Sequence, residues 1–223
     1  MLFDASDAAV AGRDQPQRGA CWAPMLNRIT PLLGVRHGHF KMESGYHSPA
    51  WFELGSLFDD TVTVRPFAAE LAHRLSSHRP DAVCGPMTGG AKLAEMIATE
   101  LGIDALVAER FETARATSLF PVRYRVAEAQ RAKTRARRIA IVDDAISAGS
   151  AVRGTHADLI ECGALPVALG ALVVFGDAAV HFASDNGLPL EAIERMAFEM
   201  WRPAECPLCK DGVALDTSAA RSG

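Results

Sequence analysis

Short apolar runs alternate along this chain with longer segments of helical periodicity. Runs of this kind flanked by turn residues predict buried strands, and they fall at 81–84, 105–108, 139–142 and 167–175. The intervening periodicity predicts helices at 22–33, 63–77, 91–101 and 151–162. Strands that alternate with helices in this way favour an α/β fold, with a parallel sheet covered on both faces.

The segment 119–126 departs from this alternation. Arg123 and Arg125 alternate there with apolar neighbours, which predicts an exposed strand of a hairpin. Residues 1–20 lack periodicity, and we expect a disordered leader there. A single domain is expected over 21–215, followed by a flexible tail at 216–223.

The apolar run at 139–142 leads directly into two carboxylates, Asp143 and Asp144. A turn of small residues at 147–150 follows, and within it Gly149 can adopt a positive φ that other residues resist. The next helix would therefore point its unpaired N–H groups and positive partial charge into the turn. This arrangement predicts a phosphate site. Two carboxylates beside it are good acceptors for a diol, so phosphate and diol together indicate ribose 5-phosphate.

Composition and charge narrow the class of protein. The chain has 223 residues, 49% of them hydrophobic and 22% charged, which is typical of a globular protein with a substantial core. A net charge of -4 gives no general attraction to nucleic acid or to an anionic membrane. No apolar run approaches the roughly 20 residues of a membrane span. Five cysteines, an odd number, argue against a secreted disulfide framework, so we expect a cytoplasmic protein.

The strand, acidic pair and small-residue turn over 138–152 resemble the phosphoribosyl-pyrophosphate (PRPP) motif of the type I phosphoribosyltransferases. A strand and turn whose acids merely cap a helix is the plainer alternative. A P-loop fits less well, because in the segment 85–92 the lysine, Lys92, comes one place late and Leu93 stands where a Mg²⁺-binding hydroxyl is required.

Two further segments are similar to the orotate phosphoribosyltransferase family. Residues 38–52 resemble that family's hood over the nucleobase, which implies base-binding roles for Trp51 and Phe52, although core packing would also explain these aromatics. Residues 84–94 resemble its second strand, turn and helix, whose backbone amides hold pyrophosphate. The resemblance implies a parallel sheet with a small hood from about 21–60 and 190–215. It also implies transfer of phosphoribose from PRPP to orotate with Mg²⁺ held mainly through PRPP, and a homodimer.

The residues expected at the site fall into three groups. Catalytic roles are expected for Asp143, Asp144 and Arg110. Base contacts are expected from Ser147, Trp51 and Phe52. PRPP contacts are expected from the acidic pair, the turn, the glycines of the second motif and two arginines, namely Asp143, Asp144, Ala145, Ile146, Ser147, Ala148, Gly149, Ser150, Ala151, Gly89, Gly90, Arg110 and Arg115.

Two departures from the family pattern leave the identity of the nucleobase undecided. The stretch 110–121 corresponds to the family's mobile loop, but it is short and carries only Arg110 and Arg115 as cations. After the strand at 167–175 the family places an arginine for the orotate carboxylate, whereas this chain has Gly176 and Asp177. A carboxylate facing the base would repel orotate. The alternatives are therefore a phosphoribosyltransferase for another nucleobase and a noncatalytic PRPP- or nucleotide-binding regulator.

Cys206 and Cys209 have the spacing of metal ligands or of a redox pair. Zinc normally takes four ligands, and the sequence offers neither a second CxxC nor a helical pair of histidines. Surface or hydrogen-bonding roles are expected for His37, His39 and His47. We therefore expect no metal ligands in the protein, and a capped turn and subunit contact at the two cysteines.

Overall fold

The computed structural model describes residues 28–112 and 119–218, with only the backbone described at Glu112. Six strands form the central sheet in the order β5-β4-β3-β6-β7-β8. All neighbours are parallel except β4 and β5, which are antiparallel. The strands are β3 (Ala82–Pro86), β4 (Asp104–Glu112), β5 (Val122–Val126), β6 (Arg138–Ile146), β7 (Leu165–Phe175) and β8 (Leu190–Met196). The expected α/β fold is thus confirmed.

Helices cover both faces of this sheet. Those that cover it are α1 (Thr61–Ser76), α2 (Gly89–Leu101), α4 (Ser150–Glu161) and α5 (Ala178–Asp185), while the short helices α3 (Glu128–Arg131) and α6 (Pro207–Lys210) lie in segments outside these layers. On β6, Ala140 and Val142 face the core shared with α1 and α2, whereas Ile139 and Ile141 face the core shared with α4 and α5. Burial on both faces explains why the central strands are continuous apolar runs in the sequence.

The predicted strand at 119–126 is confirmed as β5, the outer strand of a hairpin with β4. Val122, Tyr124 and Val126 are buried, while Arg123 and Arg125 are exposed. None of the helices in the described ranges is long and apolar enough to cross a membrane.

The helix predicted at 22–33 is wrong over its described part, since residues 28–33 contain only a short 3₁₀ turn, Thr30–Leu32. The buried carboxylate of Glu194 accepts hydrogen bonds from the backbone N–H groups of Arg28, Ile29 and Thr30. Pro31 lies within the turn, which it fits because a proline needs no N–H partner. A long-range contact with β8 therefore determines this conformation. Residues 22–27 lie outside the described residues, as do 1–20 and 219–223.

A small second unit, here called the hood, lies beside the carboxyl ends of the strands. It begins with an antiparallel hairpin of β1 (Gly34–Lys41) and β2 (His47–Glu53). The C-terminal segment after β8 joins it through single bridges, Phe40 to Asp216 and His47 to Trp201. The hood thus combines chain segments that are far apart in sequence.

Candidate active site

A cavity of about 370 Å³ lies between the carboxyl ends of β3 and β6 and the hood. Its volume is that of a typical small-molecule site. Residues from both units line it, and they are Met42, Glu43, Ser44, Trp51, Phe52, Glu53, Leu54, Gly55, Phe58, Met87, Thr88, Gly89, Lys92, Tyr124, Asp143, Asp144, Ala145, Ile146, Ser147, Gly149, Ser150, Ala151, Phe175 and Phe198. The edge of a parallel sheet is the usual place for a ligand in an α/β fold.

Two adjacent carboxylates, Asp143 and Asp144, lie at the end of β6 inside this cavity. An oxygen of Asp143 accepts from the Asp144 N–H at 3.1 Å, and one of Asp144 accepts from the Ala145 N–H at 2.9 Å. Burial and the neighbouring Asp144 charge raise the pKa of Asp143 well above its usual value, and burial also raises the pKa of Asp144. The pair is therefore a strong attractor for hydroxyl donors or a cation.

The turn after the acidic pair leads into the first turn of α4. Gly149 has φ +81°, the left-handed region that favours glycine. Ser147, Gly149, Ser150 and Ala151 line the cavity. No side chain in the described part of the protein caps α4 at its N-cap, so the first amides are open to an anion. Ala148 is buried and does not line the cavity.

A second helix N-terminus, that of α2, faces the same space. Gly89 lines the cavity, whereas Gly90 lies behind it, against Asp143. A Cβ on Gly89 would lie 1.9 Å from Oδ2 of Asp144, and one on Gly90 would lie 2.7 Å from Oδ1 of Asp143. The two glycines therefore let the acidic pair approach the α2 backbone, an arrangement that the sequence alone does not show.

A group of aromatic side chains, here called the aromatic wall, forms another part of the cavity lining. Phe52 stacks on Phe175 with ring centroids 4.5 Å apart, and Phe198 packs against both rings at 5.8 and 5.2 Å. Trp51 also lines the cavity and packs at 6.4 Å from Phe40. Flat aromatic faces of this kind suit a planar ring. Trp51 and Phe52 were expected here, whereas Phe175 and Phe198 were not.

Three polar side chains that the sequence reasoning missed line the cavity. Glu43 accepts from the Tyr124 hydroxyl at 2.9 Å and forms an ion pair with Arg110 at 3.1 Å. Burial, followed by the Glu43 charge, raises the pKa of Tyr124. Lys92, considered above only as a P-loop lysine, enters the cavity one helical turn after Gly89. Residues three positions apart lie on the same face of a helix, so the spacing of Gly89 and Lys92 could have predicted that Lys92 lies at the cavity.

The expected arginines are placed differently. Arg110 lies beside the cavity and contacts it through Glu43, and it is not one of the lining residues. Arg115 lies outside the described residues. Ala145 and Ile146 line the cavity at the end of β6, as expected from the motif.

Asp177 does not face the cavity, contrary to the sequence expectation. Gly176 has φ +67°, and Asp177 is exposed at the start of α5, away from the lining residues. The preceding residue, Phe175, enters the cavity instead. The repulsion expected between Asp177 and an anionic base is therefore absent from the geometry.

The expectation that Cys206 and Cys209 lack partner ligands is also wrong. The hood brings His39 and His47 to them, so that all four ligand atoms lie within 4.8 Å of one another. The histidines belong to adjacent antiparallel strands instead of a helix, which is why a search for helical spacing misses them.

Comparisons with known proteins agree with this geometry. No family model matches the chain. It is 28% identical over 199 residues to the orotate phosphoribosyltransferase of Caldanaerobacter subterraneus subsp. tengcongensis, covering 88% of this chain and 96% of that protein. It is 30% identical over 190 residues to that of Helicobacter pylori, covering 80% and 89%. The crystal structure of orotate phosphoribosyltransferase from Aeropyrum pernix has a TM-score of 0.56 at 22% identity, covering 73% of this chain and 88% of that one.

The parallel sheet, with an acidic pair before a small-residue turn and a hood beside an aromatic cavity, has the fold of a type I phosphoribosyltransferase. Within that class, the identity and coverage shared with the Helicobacter pylori protein place the chain in the orotate phosphoribosyltransferase family.

Proposed function

We propose that the protein transfers the 5-phosphoribosyl group of PRPP to orotate, giving orotidine 5'-phosphate and pyrophosphate. One observation carries this proposal: Asp143 and Asp144 share a cavity with two helix N-termini and an aromatic wall. Each part of PRPP and of a planar base thereby has a chemically matched counterpart. The relatives of the chain, named orotate phosphoribosyltransferase, support orotate as the base.

Each part of the cavity has a separate role in this reaction. The turn at 147–150 and the first amides of α4 bind the 5-phosphate. The Asp143 and Asp144 carboxylates accept from the ribose hydroxyls. The N-terminus of α2 at Gly89, together with Lys92, binds the pyrophosphate. Trp51 and Phe52 cover the base, and Ser147 hydrogen-bonds to it.

The chemistry requires opposite charges on the two sides of the anomeric carbon. A base nitrogen forms a bond to this carbon as the bond to the pyrophosphate oxygen breaks. The electron pair leaves with pyrophosphate, and the proton of the base nitrogen passes to solvent. Asp143 and Asp144 stabilise the positive charge that develops on the ribose. Lys92, Arg110 and Arg115 offset the negative charge of the leaving group.

The site fits Mg²⁺ carried by PRPP. Carboxylate oxygens are the hard ligands that this ion prefers, and burial raises the pKa values of both carboxyl groups, so a bound cation would stabilise their charged forms. Bound Mg²⁺ would neutralise the pyrophosphate and polarise its bond to the sugar. Asp143 and Asp144 would approach it through the ribose hydroxyls or directly.

A second candidate is a phosphoribosyltransferase for a neutral base. Among the lining residues, Lys92 is the only cation, against the acids Glu43, Glu53, Asp143 and Asp144. An anionic base gains less from such a lining than a neutral one does. The two candidates share PRPP chemistry and differ only in the base.

The test is Mg²⁺-dependent pyrophosphate release from PRPP, measured separately with orotate, uracil, adenine, guanine and hypoxanthine and without base. Release with orotate alone, with orotidine 5'-phosphate formed, is the expected result. Pyrophosphate release with a neutral base alone would show that this base, and not orotate, is the substrate. No release with any base, despite a PRPP-induced rise in Tm, would indicate a regulator. Asp144→Asn should reduce turnover by about 100-fold or more, and retained turnover would contradict the role of the acidic pair.

The proposal also includes a cytoplasmic homodimer, as in the enzyme family that the chain resembles. Sedimentation equilibrium of the full chain tests the dimer, and a monomer at micromolar concentration with full turnover would contradict it.

A further inference from the structure

Four side chains in the hood converge on one point, away from the cavity. Nε2 of His39, Nδ1 of His47 and the sulfurs of Cys206 and Cys209 all lie within 4.8 Å of one another. Cys206, His39 and His47 are buried, and Cys209 is on the solvent side. We propose that these four residues bind one Zn²⁺ ion as a structural Cys₂His₂ site that joins the two halves of the hood.

The separations match the edges of a zinc tetrahedron. Zn–N bonds of about 2.0–2.1 Å and Zn–S bonds of about 2.3 Å give edges of about 3.3 Å between nitrogens and about 3.6 Å between nitrogen and sulfur. The two ring nitrogens are 3.0 Å apart. The nitrogen to sulfur distances are 3.4 Å for His39 with Cys206, 3.7 Å for His39 with Cys209 and 3.3 Å for His47 with Cys209. The two remaining pairs, Cys206 with His47 and Cys206 with Cys209, lie within 4.8 Å, so shifts of up to about an ångström would accommodate the ion.

The orientation of His39 fits a metal ligand. Its Nδ1 lies 2.8 Å from the Val213 carbonyl, which can only accept, so the proton is on Nδ1 and the Nε2 lone pair points into the cluster. A ligating histidine almost always donates its other N–H to an acceptor of this kind. This second contact comes from the C-terminal segment, which also carries the cysteines.

The charges also favour zinc. Two thiolates and two neutral imidazoles balance the 2+ charge of the ion, so the loaded site carries no net charge into a largely buried position. A Cys206–Cys209 disulfide is the competing state, and both cysteines are free thiols in the structure. A redox CxxC needs no imidazole nitrogens directed at its sulfurs, whereas a Cys₂His₂ zinc site needs two, and His39 and His47 lie 3.4 and 3.3 Å from Cys206 and Cys209. The histidine pair therefore distinguishes a metal site from a redox CxxC.

The fold explains why the hood would need this ion. A two-stranded sheet alone is at best marginally stable, and the hood consists of one such hairpin joined to the C-terminal segment by single bridges. All four ligand positions come from the protein, so the site has no open position for catalysis. His39 and His47 flank the turn that carries Met42, Glu43 and Ser44 into the cavity. Zinc would thus hold in place the turn that brings these three residues into the cavity.

Metal analysis of the full chain tests the proposal. Protein purified under reducing conditions, incubated with ZnCl₂ and desalted, is expected to hold one zinc per chain by mass spectrometry. Cys209→Ser and His39→Asn are expected to lose at least about 90% of that zinc and to lower Tm by about 5 °C or more. Cys162→Ser and His37→Asn, which alter a cysteine and a histidine outside the cluster, should keep both the zinc and the Tm.

Cobalt substitution of the unmodified chain provides a second readout if the ligand variants do not fold. Strong visible absorption typical of tetrahedral cobalt with thiolate ligands is the expected result. Less than about 0.1 zinc per chain after incubation, unchanged zinc in Cys209→Ser, or a Cys206–Cys209 disulfide under these conditions would each overturn the proposal. The measurement uses no PRPP and no base, so it stands whether or not the proposed transferase activity is found.

Discussion

Asp144 lies so close to Gly89 that a Cβ on the glycine would be 1.9 Å from the carboxylate Oδ2. The acidic pair at the end of β6 and the N-terminus of α2 therefore form one packed unit. The glycine pair has a steric reason for being in this turn, in addition to the access it gives to an anion.

Gly89→Ala should lower kcat/KM by about 100-fold, because the added methyl group must displace Asp144 or the start of α2 by about an ångström. Steady-state kinetics with PRPP and the accepted base measures this loss. Gly34→Ala is the control, since its added Cβ would meet Glu53 only at 3.4 Å. Equal activity of both variants would show that the turn can relax.

The acidic pair should make stability depend on pH. Because the pKa of Asp143 is raised in the folded protein, its contribution to the free energy of unfolding is most favourable below the ordinary pKa of 3.8 and is lost as pH rises through the raised pKa. Asp143→Asn removes this pH-dependent contribution. The variant should therefore gain stability relative to the parent as pH rises from about 4 towards 8. Urea unfolding across that range measures the difference. A constant difference at all pH values would contradict the raised pKa.

Glu43→Gln tests the charge of the cavity. Removing one negative charge should lower the KM for orotate by about fivefold and leave that for a neutral base unchanged. The glutamine can still accept from Tyr124, which limits structural change. Glu128→Gln, which alters an exposed acid on α3, is the matched control. A higher KM for orotate would instead indicate that Glu43 organises the site through Arg110.

Glu194 should contribute strongly to folding. Burial alone would raise its pKa, but hydrogen bonds from Thr30 and the backbone N–H groups of residues 28–30 lower it overall. Glu194→Gln should therefore destabilise the protein by about 2 kcal/mol at pH 7. The difference in the free energy of unfolding between variant and parent should shrink as pH falls below 4.5, the ordinary pKa of a glutamate, and through the lowered pKa of Glu194. Denaturant titration at several pH values measures this, with Glu191→Gln, on the same strand, as a comparison.

The sequence by itself determined the sheet and its phosphate-type turn. Continuous apolar runs predicted strands buried on both faces, and β6 and β7 are such strands. The turn with Gly149 was likewise readable, because strand, small residues and helix are consecutive and their conformations are set locally.

Tertiary structure alone decided which distant residues meet. The turn at Thr30 depends on Glu194, the aromatic wall depends on Phe175 and Phe198, and the exposure of Asp177 depends on how the chain leaves β7. The two histidines of the proposed zinc site are likewise far from its two cysteines in the sequence, with 167 positions between His39 and Cys206. Local propensity carries no information on such pairings, because they form only when segments distant in the sequence pack against one another.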